Sequence, residues 1–143
     1  MKKFTIVLVS FVLAACSATT TIQSPYEGVS LKLNADPSVP LDDGGHTGLY
    51  NTTSFGNFKF KASDESGQAM YGILPLKFNG GYLALDILFF APAMFFNLRE
   101  VYPYYELDHV EGVIRYKKKE EDPWLEYRPT HAEAAGAKAF FGD

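Results

Sequence analysis

Position 16 holds the only cysteine of the chain, and that single count limits how the protein can be held together. One thiol forms no intramolecular disulfide and builds no multi-cysteine zinc site. Stability must therefore come from an apolar core. A chain of 143 residues is enough for one such core and one domain. With 47% hydrophobic and 15% aromatic residues against a net charge of -4, it is too apolar and too weakly charged for a disordered segment. The mildly acidic balance also lacks the basic footprint that nucleic acid requires, so no nucleic-acid partner is expected.

The cysteine closes a recognisable segment. Met1-Lys2-Lys3 is followed by an apolar run over residues 4–15, broken only by Thr5 and Ser10. Positive charge followed by a dozen apolar residues is the layout of a secretory signal peptide, and the run is shorter than the roughly 20 residues a membrane-spanning helix needs. It ends in Leu13-Ala14-Ala15-Cys16, which resembles a bacterial lipobox. The resemblance implies cleavage before Cys16, a diacylglycerol on its thiol and an acyl group on the new amino terminus; no other cofactor is expected. Two or more acyl chains anchor a protein stably where one does not. Ser17 rather than aspartate follows the cysteine, which by the same resemblance implies the outer membrane and its periplasmic face. The domain plan is then a signal peptide over 1–15, a lipidated N-terminus and very short tether over 16–18, and one domain over 19–143. Loss of residues 1–15 leaves 128 residues and removes two cations and no acid, which moves the charge from -4 to -6.

Along the expected mature chain, Thr19-Thr20-Thr21-Ile22-Gln23 is β-branched and predicts a strand. Ser24-Pro25-Tyr26-Glu27-Gly28 is a turn cluster, and Val29-Ser30-Leu31-Lys32-Leu33-Asn34 alternates as a half-buried strand does. This strand, Ser-Pro-x-x-Gly turn and alternating strand resemble the start of PEGA-type modules of bacterial envelope proteins, and imply a small β-module; Val29 stands where that family prefers alanine and Asn34-Ala35 where it has Asp-Gly. Residues 34–48 read as a long polar loop. Phe58-Lys59-Phe60-Lys61-Ala62 alternates again, with its phenylalanines expected in the core and its lysines in water. Residues 71–78 read as a strand interrupted at Pro75 by an edge or a bulge. Residues 104–108, 113–117 and 124–127 are further strand candidates, and the Ala-rich stretch 131–141 predicts a short helix before a frayed tail.

Residues 82–98 are apolar all round, with only Asp86 and Asn97 polar and Pro92 inside. The reading is a short helix or two short elements meeting near Pro92. Phe89, Phe90, Phe95 and Phe96 fall here. They are read either as core or as an apolar surface for a partner or the membrane interface. The fold class expected is mainly β: a small antiparallel β-sandwich or sheet with one apolar helical segment and a short C-terminal helix.

The chain has no nucleophile elbow, phosphate-binding glycine loop or dinucleotide fingerprint. Asp42, Asp43 and His46 offer oxygen and imidazole atoms on a glycine-rich loop, at a spacing that fits no known metal pattern. Asp108 and His109 are neighbours and on a strand would point to opposite faces. Glu65, Glu106 and Glu111 could meet only across strands. The function expected is therefore a non-enzymatic envelope lipoprotein. It would be tied to the membrane through Cys16 and act as an assembly or interaction subunit for another envelope protein. The alternative is a carrier or sensor of an apolar ligand, a lipid or acyl chain, that uses residues 82–98.

Overall fold

The computed structural model describes residues 17–42, 44–51, 56–78 and 99–143. Cys16, the apolar stretch 82–98 and Asp43 lie outside the described residues. The protein is mainly β, in small sheets, with one short C-terminal helix.

The strands are β1 (Ser17–Gln23), β2 (Ser30–Leu33), β3 (Val39–Pro40), β4 (His46–Asn51), β5 (Lys59–Ser63), β6 (Ala69–Ile73), β7 (Leu76–Phe78), β8 (Arg99–Val101), β9 (Tyr104–Asp108), β10 (Val113–Lys117) and β11 (Leu125–Tyr127). The helix α1 spans His131–Phe141. One sheet has the order β11-β10-β9-β1-β4 and a second β3-β2-β5-β6, while β7 and β8 form a separate ribbon. All pairs are antiparallel except β1 with β9, which run parallel with Thr21 opposite Tyr104. The inward residues of both larger sheets, Ile22, Tyr105, Leu107 and Ile114 from one and Leu31, Leu33, Phe60 and Met70 from the other, share a single buried cluster. Burying these side chains is the main driving force of the fold.

Alternating sequence becomes alternating burial. In β5, Phe60 and Ala62 are buried while Lys59, Lys61 and Ser63 are half-buried. The turn over residues 24–28 passes the chain from one sheet to the other, so β1 and β2 do not pair. Gly28 takes φ 70°, a left-handed conformation that glycine adopts without steric cost.

Several expectations are corrected. Ser17 and Ala18, read as tether, are the first residues of β1 and pair with Asn51 and Tyr50. The long polar loop over 34–48 contains β3 and the start of β4. Those strands are set by partners in β2 and β1 rather than by local alternation. Pro75 does not sit in a continuous strand: Leu74 and Pro75 separate β6 from β7, as a residue without an N–H would. The lysine face of β5 is not open to water. α1 lies across it, with the Lys59 ammonium 4.7 Å from the Phe140 ring centre and Lys61 bound to the Asp143 carboxylate. Long lysine stems can lie along apolar surface while their charged ends find partners. The C-terminus is not frayed either. Thr130 and Glu133 form a capping box at the start of α1, and Gly142 ends it in a left-handed cap.

Candidate functional site

The strand directions give the molecule two unlike ends. Ser17 opens β1, and β4, antiparallel to it, closes at Asn51 opposite Ser17. The ring of Tyr50 meets Phe58 edge-on at 5.6 Å. Two residues before Phe58, the Gly56 carbonyl accepts from the Arg99 guanidinium at 3.1 Å. Arg99 opens β8 opposite Phe78, the last residue of β7. One end of the sandwich therefore carries Ser17, Asn51, Gly56, Phe78 and Arg99. These residues are where the chain adjoins stretches 1–16, 52–55 and 79–98. Ser17 follows Cys16 in the chain, and Phe78 and Arg99 are the nearest described residues on either side of the segment holding Phe89, Phe90, Phe95 and Phe96; those five residues themselves lie outside the described residues.

The opposite end is polar and acidic. The 24–28 turn, the β5–β6 turn and the β9–β10 turn meet there. Asp42 accepts the Gly28 N–H at 3.0 Å. His109 Nε2 lies 3.1 Å from Asp64 Oδ2, which ties the β9–β10 turn to the β5–β6 turn of the other sheet. Tyr26 packs edge-on against the imidazole at 5.3 Å. Only 2% of the His109 side chain is exposed, and its Nδ1 is buried without a hydrogen-bond partner. The Asp64 carboxyl is held down at about 2, first by the Ser66 hydroxyl and next by His109.

On the outer face of the five-stranded sheet, the Arg115 guanidinium reaches four carboxylates: Glu106 at 2.8 Å, Glu111 at 3.0 Å, Glu126 at 3.1 Å and Asp108 at 3.5 Å. Arg128 also reaches this cluster, donating to the Glu111 carbonyl, and two cations among four acids leave a net negative face. Beside it, Lys117 lies 4.5 Å from the Trp124 ring centre and 5.5 Å from that of Tyr104.

Two clefts open on the flanks of the sheets. One of about 300 Å³ lies between the edge strands of the two sheets, lined by Leu31, Leu33, Val39, His46, Leu49 and Tyr50 among others. The other, of about 400 Å³, is lined by Arg99, Tyr116, Tyr127 and Glu133 with apolar neighbours. In it the Glu133 carboxylate accepts from the Tyr127 hydroxyl at 2.5 Å and from the Thr130 N–H at 2.8 Å. Burial alone would raise the Glu133 carboxyl; these donors outweigh it and hold the group below its ordinary value. The same bond pushes Tyr127 up to about 12.

The candidate groupings read from sequence separate. Asp42 binds the Gly28 amide at the acidic end, while His46 lines the cleft between the sheets. Among the described residues, no three His, Cys, Asp or Glu side chains gather as metal ligands. Glu106 and Glu111 meet, but across Arg115 rather than as an acid pair. Asp108 and His109 form no dyad: Asp108 accepts the Glu111 N–H at 2.9 Å, and the imidazole turns to Asp64. Sequence reasoning missed that pairing because its partners lie 45 residues apart, on turns of different sheets. Among the described residues no helix is long and apolar enough to cross a membrane. No family model, curated protein or solved structure matches the chain.

Proposed function

We propose that the protein is a non-enzymatic cell-envelope lipoprotein, anchored through a lipidated Cys16 to the periplasmic face of the outer membrane, where it serves as an assembly or interaction subunit. The observation that carries this reading is the meeting of two features at one peptide bond. Leu13-Ala14-Ala15-Cys16 resembles a lipobox, and the next residue, Ser17, is already hydrogen-bonded into a strand inside the five-stranded sheet. Cleavage before Cys16 would leave the folded unit whole, with the lipid at its margin.

A structural role agrees with the chemistry. A general base must reach its proton, whereas the His109 ring is buried and engaged in joining two turns. In this reading Phe89, Phe90, Phe95 and Phe96 supply the contact with an envelope partner, since the described residues that bound their segment, Phe78 and Arg99, are paired at the end where β1 begins.

The test is palmitate labelling and fractionation of bacterial cells expressing the chain. The intact protein should take the label and sediment with the outer membrane. Cys16→Ser should lose the label and move to the soluble periplasm. A Cys16→Ser protein that stays with the membrane, or an intact chain that never labels, would overturn the anchor. In-cell crosslinking of the anchored chain should give a discrete adduct that disappears when the four phenylalanines are replaced by serine. An adduct unaffected by those changes would remove the contact assignment.

A further inference from the structure

We propose that the end of the sandwich where β1 begins is a bilayer-seating surface, with Leu49 and Phe78 entering the membrane interface beside the anchor. The inference rests on the lipidated Cys16 proposed above and adds to it which face of the domain meets the lipid.

Three observations converge on this face. The first is reach. No residue separates Cys16 from β1, so the anchor leaves the domain no leash. A strand advances about 3.3 Å per residue, so Thr19, and Leu49 opposite it, stand about 7 Å from Ser17, the residue that follows Cys16 in the chain. The second is apolar exposure. Of the large hydrophobic side chains that the described residues leave in water, the two most exposed are Leu49 at 68% and Phe78 at 58%. Both belong to this end: Leu49 by its pairing with Thr19 in β1, Phe78 by its pairing with Arg99. Leu and Phe side chains flanked by lysine and arginine are the composition that settles at the boundary of headgroup and acyl chain. Arg99 stands opposite Phe78 across the ribbon, and Lys77, next to Phe78 in the chain, is ion-paired with Glu100 at 2.8 Å.

The third is charge. Asp42, Asp64, Asp108 and Glu111 gather at the opposite end, near Glu106 and Glu126 of the outer face. An anionic lipid surface repels that end and favours the orientation that turns it away.

The experiment uses Cys16 as the chain's only natural cysteine. Once it carries lipid, any cysteine introduced elsewhere is the only free thiol. Leu49→Cys, Phe78→Cys and, at the far end, Val110→Cys are made in the lipidated full-length protein. Each is labelled with an environment-sensitive fluorophore and reconstituted into vesicles of phosphatidylethanolamine and phosphatidylglycerol. Labels at 49 and 78 should be quenched by nitroxide-bearing lipids and be several-fold less accessible to aqueous iodide than the label at 110. Equal iodide accessibility at all three positions, in a chain that carries palmitate, would overturn the seating surface and leave the anchor intact. A chain that carries no palmitate would overturn the anchor, and the seating surface with it. Shielding of 49 and 78 in cells but not in protein-free vesicles would assign the face to a protein instead, and overturn the lipid assignment.

Discussion

At the scale of single residues, the polar contact of greatest consequence is His109 with Asp64, because it joins turns from two different sheets and its imidazole is almost closed to water. Its strength depends on Asp64 being ionised. The Ser66 hydroxyl, His109 and the Gln68 N–H, donating at 3.0 Å, all favour the carboxylate. The folded value, about 2, lies below the ordinary 3.8. A depressed carboxyl binds fewer protons in the folded state than in the unfolded state. It therefore stabilises the fold above about 3.8 and loses that contribution as pH falls towards 2. Asp64→Asn should remove this part of the acid-limb slope. Urea unfolding midpoints of the two proteins, followed from pH 5 to pH 2, should converge across that window. A constant gap from pH 5 to pH 2 would show that the Asp64 charge does not couple to folding. The Asp108-His109 step drew notice in the sequence, but nothing local could indicate Asp64: the pairing exists only once the two sheets pack.

At the scale of elements, two glycines report on packing with opposite signs. Gly72 in β6 is half of a close approach. A β-carbon there would stand 2.7 Å from Pro129 Cγ and 2.9 Å from the Phe60 ring, two groups held by the core and by the entry to α1. Gly72→Ala should cost about 1–3 kcal/mol through overpacking. Gly136 lies within α1 with nothing near the added carbon. Gly136→Ala should stabilise by about 0.5–1 kcal/mol, the usual gain of alanine over glycine in a helix. Denaturant unfolding of the two variants checks both signs, and a neutral Gly72→Ala would mean that Pro129 can move aside. Elements whose own residues alternate, such as Leu31-Lys32-Leu33 or Phe60-Lys61-Ala62, were legible in the sequence because inward and outward side chains differ. The Ala-rich helix was legible as well. β4 was not: His46-Thr47-Gly48-Leu49-Tyr50-Asn51 has no clear apolar period, and it is a strand because β1 supplies its hydrogen bonds. The covering of Lys59 and Lys61 was hidden for a similar reason. Alternation marks which side of a strand is polar, but not which later element will lie on that side.

At the scale of the whole molecule, the polarity between the end where β1 begins and the acidic end follows from where strands start and stop. It emerges only from topology, which is why the sequence could suggest an anchor without saying which face it holds against the membrane. In the reading proposed here two effects press that face to the bilayer: the missing leash and the apolar side chains Leu49 and Phe78. They can be separated. Ten Gly/Ser residues inserted between Cys16 and Ser17 would behave as a flexible coil spanning about 17 Å, which removes the first effect and spares the second. A fluorescent donor at position 110, placed by Val110→Cys, reports the height of the far end through energy transfer to acceptor lipids. Transfer should be fixed and narrow in the chain without the insert. It should fall and broaden in part with the insert, because Leu49 and Phe78 still favour the interface. It should fall further when Leu49→Ser and Phe78→Ser are added. Palmitate labelling should be the same in all three proteins, since Cys16 and the residues before it are untouched. Equal transfer in the three would mean that neither the missing leash nor the two side chains set the height of the domain. A full drop with the insert alone would assign the effect to the leash and leave Leu49 and Phe78 without a part in it.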